Sequence, residues 1–180
     1  MIVEKRRIFI NYEKEEQWLN QMAAKGWHLI RYTFGKYTFE KGTPGEYIYR
    51  LELLDELPTH SASRDYIKFM EENGVEYVDS YIRWVFFRKK ADDGPFEIYS
   101  DYASRMKHYQ KIAFIIGLGA GLNLFIAVMN LNTVINLGYS KFILYVSTLN
   151  WLAVLLLTPV LISYLWKISH LKKEMELHHK

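Results

Sequence analysis

The stretch that decides the fold is EEQWLNQMAAKGWHLI, residues 15–30, because a similar pattern returns 48 residues later as SRDYIKFMEENGVEYV, residues 63–78. Both segments carry apolar residues at helical spacing, then a glycine, then an apolar run that is typical of a strand. An internal repeat of this kind indicates that one supersecondary unit occurs twice. The aligned pairs are Trp18 and Tyr66, Leu19 and Ile67, Met22 and Met70, Gly26 and Gly74, Trp27 and Val75, Leu29 and Tyr77, Ile30 and Val78, Tyr37 and Val85, Phe39 and Phe87, and Lys41 and Lys89.

Each copy is predicted to hold a strand, a helix that ends at a glycine, and two further strands. In copy one, about residues 6–41, these elements are residues 8–12, 13–25, 27–33 and 37–41. In copy two, about residues 46–90, they are residues 47–51, 63–73, 75–81 and 83–89. The sequence therefore predicts an α+β domain over residues 1–90, with six strands in one antiparallel sheet or an open barrel and two helices on one face.

Residues 112–166 contain a single charged side chain, Lys141, and two long apolar runs. The runs are residues 112–131 and 142–166, and at about 1.5 Å per residue each is long enough to cross roughly 30 Å of hydrocarbon. The alternative, two core helices of a soluble protein, would need a much larger partner around them. A transmembrane hairpin is therefore predicted, with a linker and juxtamembrane helix before it (residues 91–111) and a tail after it (residues 167–180).

Basic residues predict how the hairpin is oriented. They cluster before the first span and after the second, whereas the loop between the spans offers only Lys141. Since basic residues stay on the cytoplasmic side, both termini are expected to be cytoplasmic in a two-span cell-membrane protein that contacts lipid. The clustered basic residues are Arg105, Lys107, Lys111, Lys167, Lys172, Lys173 and Lys180.

Four residues inside the spans are candidates for helix packing. Gly117 and Gly121 form a GxxxG pattern that permits close approach of another helix, although glycine is common in membrane helices generally. Asn123 and Asn150 are polar groups that need partners in lipid, and their depths differ by about 7 Å, which disfavours a direct pair. Neither span carries an ionisable side chain, so no proton or ion pathway is expected.

The doubled strand-helix-strand-strand layout resembles that of bacterial drug-sensing GyrI-like and SOUL-type domains. The resemblance implies a site for hydrophobic or cationic ligands between the copies. Aromatic faces attract cations, and a carboxylate such as Glu40 or Glu52 would assist. The alternative is that the aromatic residues only pack against the helices. The residues suited to such a cleft are Trp27, Tyr32, Tyr37, Tyr47, Tyr49, Tyr77, Tyr81 and Trp84.

Four stretches are similar to a Gram-positive bacterial family of unknown function, domain-of-unknown-function family 2812 (DUF2812). The resemblance implies a layout with paired C-terminal spans, and it implies regulated membrane or envelope physiology because members often lie beside PadR-type transcriptional regulators. It supplies no catalytic residues. The stretches are EQWLNQMAAKGW (16–27), YIYR (47–50), EENGVEYV (71–78) and FEIYSD (96–101).

The sequence carries no recognisable catalytic, nucleotide or metal motif, and it contains no cysteine. Acidic residues such as Glu13, Glu15 and Glu16 fall on predicted helices, where an exposed face is the expected position. No enzyme activity, cofactor or metal is therefore expected. The first 90 residues hold 15 Lys and Arg against 14 Asp and Glu, so nucleic acid is not an expected partner either.

These observations favour a non-enzymatic, membrane-anchored binding or regulatory protein whose cytoplasmic domain contacts a protein partner or a small ligand. The alternative is an accessory subunit of a membrane transporter or envelope complex that docks on another membrane protein through the hairpin. A membrane-bound enzyme is the third hypothesis. An enclosed aromatic cavity in the cytoplasmic domain would favour a ligand, and an exposed apolar patch would favour a protein partner.

Overall fold

The computed structural model describes residues 1–137 and 140–178 and divides into two units, Met1–Ile98 and Tyr99–Lys180. Residues 138–139 of the predicted loop and His179 and Lys180 of the predicted tail lie outside the described residues. The first unit contains β1 (Ile2–Arg6), α1 (Tyr12–Ala24), β2 (Trp27–Thr33), β3 (Lys36–Lys41), β4 (Tyr47–Leu53), α2 (Ser61–Glu72), β5 (Glu76–Tyr81), β6 (Trp84–Lys90) and a short 3-10 turn (Ala91–Asp93). The second contains α3 (Tyr102–Leu137) and α4 (Lys141–His178).

The strands form two three-stranded antiparallel sheets, in the orders β1-β3-β2 and β4-β6-β5. This confirms the α+β class, but the six strands do not join into one sheet. The strands β2 and β5 lie side by side, and each is interrupted by a bulge, at Ile30 and at Val78. Between these strands the backbone N–H of Tyr32 donates to side-chain Oδ2 of Asp79 at 2.8 Å. In a continuous sheet this N–H would instead donate to a backbone carbonyl of the neighbouring strand.

The first strand lies earlier in the chain than predicted. Residues 8–12 are not a strand; β1 is Ile2–Arg6 and pairs with β3. The physical reason is a helix cap, because Oδ1 of Asn11 accepts hydrogen bonds from the backbone N–H groups of Glu13 at 2.9 Å and Lys14 at 3.3 Å. Because of this cap, Asn11 and Tyr12 begin α1 and do not end a strand.

The two halves of the first unit have the same order of elements and the same strand order. The bulged residues Ile30 and Val78 are separated by the 48 residues of the sequence repeat. The same spacing separates Phe34 and Ile82, which are the two non-glycine residues with positive φ in the described part of the chain and lie in the turns that follow β2 and β5. The local geometry therefore follows the sequence period even where the residues differ.

Helix α1 packs against β4, and its side chains form hydrogen bonds with backbone groups on the outer edge of that strand. Side-chain Oδ1 of Asn20 accepts from the N–H of Tyr49 at 2.8 Å, and its Nδ2 donates to the carbonyl of Tyr49 at 3.1 Å. The N–H of Leu51 donates to Oε2 of Glu16 at 3.0 Å. An outer strand with free N–H and C=O groups is a template for unwanted pairing, and these contacts remove that template. The core beneath draws on both halves: Leu19, Met22, Ala23, Leu29, Tyr37, Phe39, Tyr49, Leu51 and Phe86.

In the second unit, α3 and α4 form a hairpin. A Cβ built on Gly117 or Gly119 would lie 3.7 Å from the nearest methyl carbon of Leu161 or Leu157 respectively, so these glycines lie against α4. Both helices are long and apolar enough to cross a membrane. Only 22% of the most apolar window of α3 and 6% of that of α4 are buried, whereas a core helix of a soluble protein would be mostly covered.

Replacing the side chain that closes the β4 edge should destabilise the first unit. We expect Asn20→Ala to lower the free energy of unfolding by about 1 to 3 kcal/mol, because it leaves the backbone N–H of the buried Tyr49 without this acceptor, while the C=O of Tyr49 keeps the hydrogen bond from Nη1 of Arg50. The measurement is urea unfolding of the full chain in detergent. Asn73→Ala is the matched control, since the exposed side chain of Asn73 donates to the carbonyl of Phe69 in the helix that it follows, α2. Equal losses in the two variants would contradict the edge role.

Candidate functional site

The first unit contains a cavity of about 220 Å³ that is partly open to the surface. Both halves contribute to it: the segment between β1 and α1, the start of α1, the turn between β2 and β3, and the strands β4, β5 and β6. Its lining is mainly aromatic and aliphatic. The residues are Ile8, Phe9, Ile10, Tyr12, Glu15, Tyr32, Phe34, Gly35, Leu51, Tyr81, Trp84 and Phe86.

Aromatic rings hold one another in place around this cavity. The ring centroid of Tyr32 lies 4.9 Å from that of Phe86 and 5.6 Å from that of Tyr81. The rings of Tyr12 and Trp84 are 5.3 Å apart. Such tilted and edge-to-face pairs stabilise the walls and leave π faces that suit an aromatic ring or a cation.

Glu15 is the one carboxylic acid in this lining as the structure describes it. The hydroxyl of Tyr37 donates to Oε1 of Glu15 at 2.7 Å. Burial raises the pKa of Glu15 to about 7, and the hydrogen bond from Tyr37 opposes that rise only in part. Burial, together with this carboxylate, raises the pKa of Tyr37 as well, so the phenol stays a donor. The cavity thus contains a carboxyl group that gains and loses its proton near neutral pH.

Glu16, the next residue, has different surroundings. Its Oε1 lies 3.3 Å from Nη1 of Arg50, and its Oε2 accepts from the backbone of Leu51. Burial raises its pKa to about 7, while Arg50 pulls in the opposite direction. Glu16 therefore connects α1 to β4, whereas the neighbouring Glu15 lines the cavity.

The cavity is bordered by exposed apolar side chains. Ile8 is 80% exposed, Phe34 is 74% exposed and Ile10 is 47% exposed. Phe34 also has φ of 34°, on the left-handed side that L residues avoid at a cost of roughly 1 to 2 kcal/mol. A large apolar residue kept exposed in a strained turn is an observation that points to function.

Three of the predicted cleft residues line this cavity: Tyr32, Tyr81 and Trp84. Tyr37 lies directly behind it as the partner of Glu15. Trp27 and Tyr47 do not reach it because they begin their strands, whereas Tyr32 is near the end of β2 and Trp84 pairs with the end of β4. At about 3.3 Å per residue, the first residues of β2 and β4 lie more than about 15 Å from the ends of the same strands that border the cavity.

The remaining predicted cleft residues have other partners. Trp27 lies beneath Nζ of Lys41, Tyr47 beneath the guanidinium of Arg88. Tyr49 is fully buried, and its hydroxyl accepts from the backbone N–H of Leu29 at 2.9 Å. Tyr77 donates to Oγ of Ser80 at 2.8 Å. These four residues therefore do not line the cavity that contains Tyr32, Tyr81 and Trp84.

The two carboxylates suggested as partners of a bound cation, Glu40 and Glu52, are not in this lining. Glu40 is exposed on β3, and Glu52 accepts from the hydroxyl of Tyr66 of α2 at 2.6 Å. Glu15 was expected on an exposed face, which is wrong because it shares a helical face with Leu19 and Met22, four and seven residues later. That spacing was the signal in the sequence that identifies it.

The predicted helix-packing residues separate into two groups. Gly117 faces Leu161 inside the hairpin, whereas nothing lies within 4 Å of a Cβ built on Gly121. Asn123 donates to the carbonyl of Gly119, and Asn150 donates to the carbonyl of Val146, each at 2.8 Å. The asparagines thus find hydrogen-bond acceptors in their own helices.

Residues 1–137 and 140–178 contain no group of three or more His, Asp or Glu side chains that is placed to hold a metal ion. What the cavity offers to a ligand is one carboxyl group, hydroxyl groups and aromatic faces.

Comparison with known proteins gives a family match. The family model described as "protein of unknown function (DUF2812)" matches residues 11–118, which run from the cap of α1 into α3. No curated protein and no solved structure matches the chain.

The pKa of Glu15 predicts a pH dependence of stability. Because this pKa is raised from 4.5 to about 7 on folding, the folded state holds the proton more tightly. The resulting stabilisation is fully present below about pH 4.5 and is lost as the pH rises through 7. Glu15→Gln cannot lose a proton, so its unfolding free energy relative to wild type should rise by about 1 to 3 kcal/mol between pH 5 and 8.

Urea unfolding of the full chain at four pH values in this range measures the effect. The pKa of Glu16 is also raised, so Glu16 still contributes a pH dependence in the Glu15→Gln variant. The unfolding free energy of that variant should therefore change less with pH than that of wild type, but it should still change. Glu40→Gln, at an exposed position on β3, is the control and should follow wild type. Parallel curves for wild type and Glu15→Gln would show that this carboxyl is not buried as described.

Proposed function

We propose a function for this chain, which belongs to the DUF2812 family of proteins of unknown function: it is a non-enzymatic, membrane-anchored binding or regulatory protein whose cavity takes a small aromatic cation. The observation that carries the proposal is the carboxyl group of Glu15 inside an aromatic-lined cavity. Carboxylate and aromatic faces together are the groups that recognise organic ammonium ions.

Charge and size define the ligand. An ionised Glu15 is costly in this cavity without a counter-charge, and a bound cation supplies one, so binding and ionisation favour each other. Each well-placed aromatic face adds about 0.5 to 2 kcal/mol to the attraction of a cation. The volume of about 220 Å³ is below the roughly 300 Å³ at which sites for drug-sized ligands begin, so the ligand has about one ring and a small ammonium head.

The hairpin of α3 and α4 is proposed to cross the membrane and to anchor the first unit. Its support is the length, apolar character and low burial of the two helices. The concentration of basic residues where α3 begins and α4 ends supports an arrangement with both termini cytoplasmic.

The two halves of the first unit are proposed to be copies of one ancestral unit, supported by their common strand order and equivalent bulges. The copies differ at the site. The positions 48 residues after Glu15 and Glu16 are Ser63 and Arg64, so α2 has no carboxyl group where α1 has two. The proposed ligand site therefore uses the carboxyl group of one copy only.

Calorimetric titration of the full chain in detergent with benzyltrimethylammonium tests the function. We expect affinity to rise about tenfold from pH 6 to pH 8, as the ionised fraction of a carboxyl with pKa of about 7 rises by that factor. Glu15→Gln should remove this pH dependence and weaken binding at pH 8 by about tenfold. Absence of binding at both pH values would refute the proposal.

Two turn variants provide a matched control. Phe34→Asn and Ile82→Asn both relieve a positive φ, because asparagine tolerates this conformation, but only Phe34 lines the cavity. Phe34→Asn should weaken binding severalfold while Ile82→Asn binds as wild type does. Benzyl alcohol is the uncharged probe, and binding of this alcohol as tight as that of the cation would show that the charge of the ligand is not recognised.

The accessory-subunit hypothesis is the second candidate, and Gly121 favours it. This glycine faces open space, while Gly117 is used inside the hairpin, so Gly121 marks the side on which another membrane helix has room to approach. Gly121→Leu should then abolish crosslinking to one dominant membrane protein in native membranes, without reducing the helicity of the chain. Gly117→Ala, which adds one methyl group at ordinary contact distance from Leu161, should retain the partner. Equal recovery from wild type and Gly121→Leu would rule out docking on this face.

A further inference from the structure

A large groove lies at the end of the hairpin where α3 begins and α4 ends, which we call the hairpin base. Its volume is about 890 Å³. Its lining includes Met106 and Gln110 of α3 and, from α4, Ile168, Lys172, Lys173 and Glu176. The groove thus combines apolar side chains with two lysines that are consecutive in the sequence.

The charges around the hairpin base favour an anion. Arg105, Lys107, Lys111, Lys167, Lys172 and Lys173 are at this end, against Asp101, Glu174 and Glu176. At the other end of the hairpin, the described residues 132–137 and 140–141 contribute only Lys141. Within the groove lining itself, two lysines and one glutamate leave one net positive charge, which matches the single negative charge of a phosphodiester.

Aromatic residues locate the groove relative to the apolar spans. Nζ of Lys167 lies 5.4 Å from the ring centroid of Tyr109 and 5.2 Å from that of Tyr164, and the two rings are 5.7 Å apart. The neighbouring Trp166 is 68% exposed. Tyrosine, tryptophan and lysine together are typical of the interface between hydrocarbon and water. Lys172 and Lys173 lie five and six residues beyond Lys167, about 7 to 9 Å along the axis of α4, which is the level of lipid headgroups if the hairpin crosses the membrane as proposed.

We propose that this groove binds an anionic phospholipid with a singly charged headgroup, such as phosphatidylglycerol. The phosphate contacts Lys172 and Lys173, and Gln110 offers an amide donor. The acyl region lies against Met106 and Ile168. Glu176 disfavours headgroups that carry more than one negative charge. The inference rests on the proposed membrane crossing and is independent of the ligand cavity in the first unit.

Native mass spectrometry of the full chain from mixed micelles tests the site. With equal phosphatidylglycerol and phosphatidylcholine at 150 mM salt, the wild-type chain should retain the anionic lipid in clear preference. Since a lysine near an anionic headgroup is worth roughly fivefold in affinity, Lys172→Gln/Lys173→Gln should reduce that retention by about 25-fold. Glu176→Gln should increase it.

Two controls separate a site from general charge attraction. Lys141→Gln removes a basic residue from the opposite end of the hairpin, and Lys89→Gln/Lys90→Gln removes an adjacent pair from β6. Both should retain the lipid as wild type does. Equal losses in all variants, or equal retention of the two lipids by wild type, would overturn the proposed site.

Two further outcomes identify the cause of a failure. Displacement of the lipid by an equal concentration of glycerol phosphate would mean that the groove takes a soluble phosphate, and it would overturn the lipid assignment. Carbonate extraction of vesicles that contain the chain tests the membrane crossing separately. Release of the chain would overturn both the crossing and the lipid site, whereas retention together with no lipid preference would overturn the lipid site alone.

Discussion

The free edge of β4 is the constraint from which the arrangement of the first unit follows. A three-stranded sheet leaves this strand with unpaired N–H and C=O groups, and α1 satisfies three of them through Asn20 and Glu16. These bonds fix the rotation of α1 about its own axis. Once Glu16 faces β4, the adjacent Glu15 must face Tyr37 and the space between the halves. The position of the charged group is thus a consequence of closing a sheet edge.

The carboxyl group of Glu15 affects the stability of the first unit and is also the group on which the proposed ligand recognition depends. Stability alone would favour an apolar side chain of similar size, because a buried carboxyl must be neutral or paired. Tyr37 donates one hydrogen bond to the carboxyl group. The aromatic side chains around it attract a positive charge but do not solvate a carboxylate as water does. The free protein therefore holds this carboxyl mainly in its neutral form below about pH 7.

Much of the fold followed from sequence periodicity, and most of the site did not. The spacing of Leu19 and Met22 and the glycines at 26 and 74 predicted both helices and their ends, since local stereochemistry decides them. The separation into two sheets depends on bulges at Ile30 and Val78, and nothing local in an apolar run marks a bulge. The strand expected before α1 was wrong because one asparagine cap outweighed the strand propensity of its apolar neighbours. The tyrosines are good strand residues everywhere, so only the fold decides which of them meet.

The difference between the two helices also determines how many copies of the proposed ligand site the first unit contains. The halves are alike in strand order and turn geometry, and two related sites would follow if the chemistry repeated as well. Ser63 stands where a second copy of Glu15 would be, and its hydroxyl donates to the carbonyl of Glu56 instead. Under the proposed function, the stoichiometry is therefore one ligand per chain. A symmetric bivalent ligand would gain nothing from the similarity of the halves, and the charged end of the proposed ligand would lie toward α1.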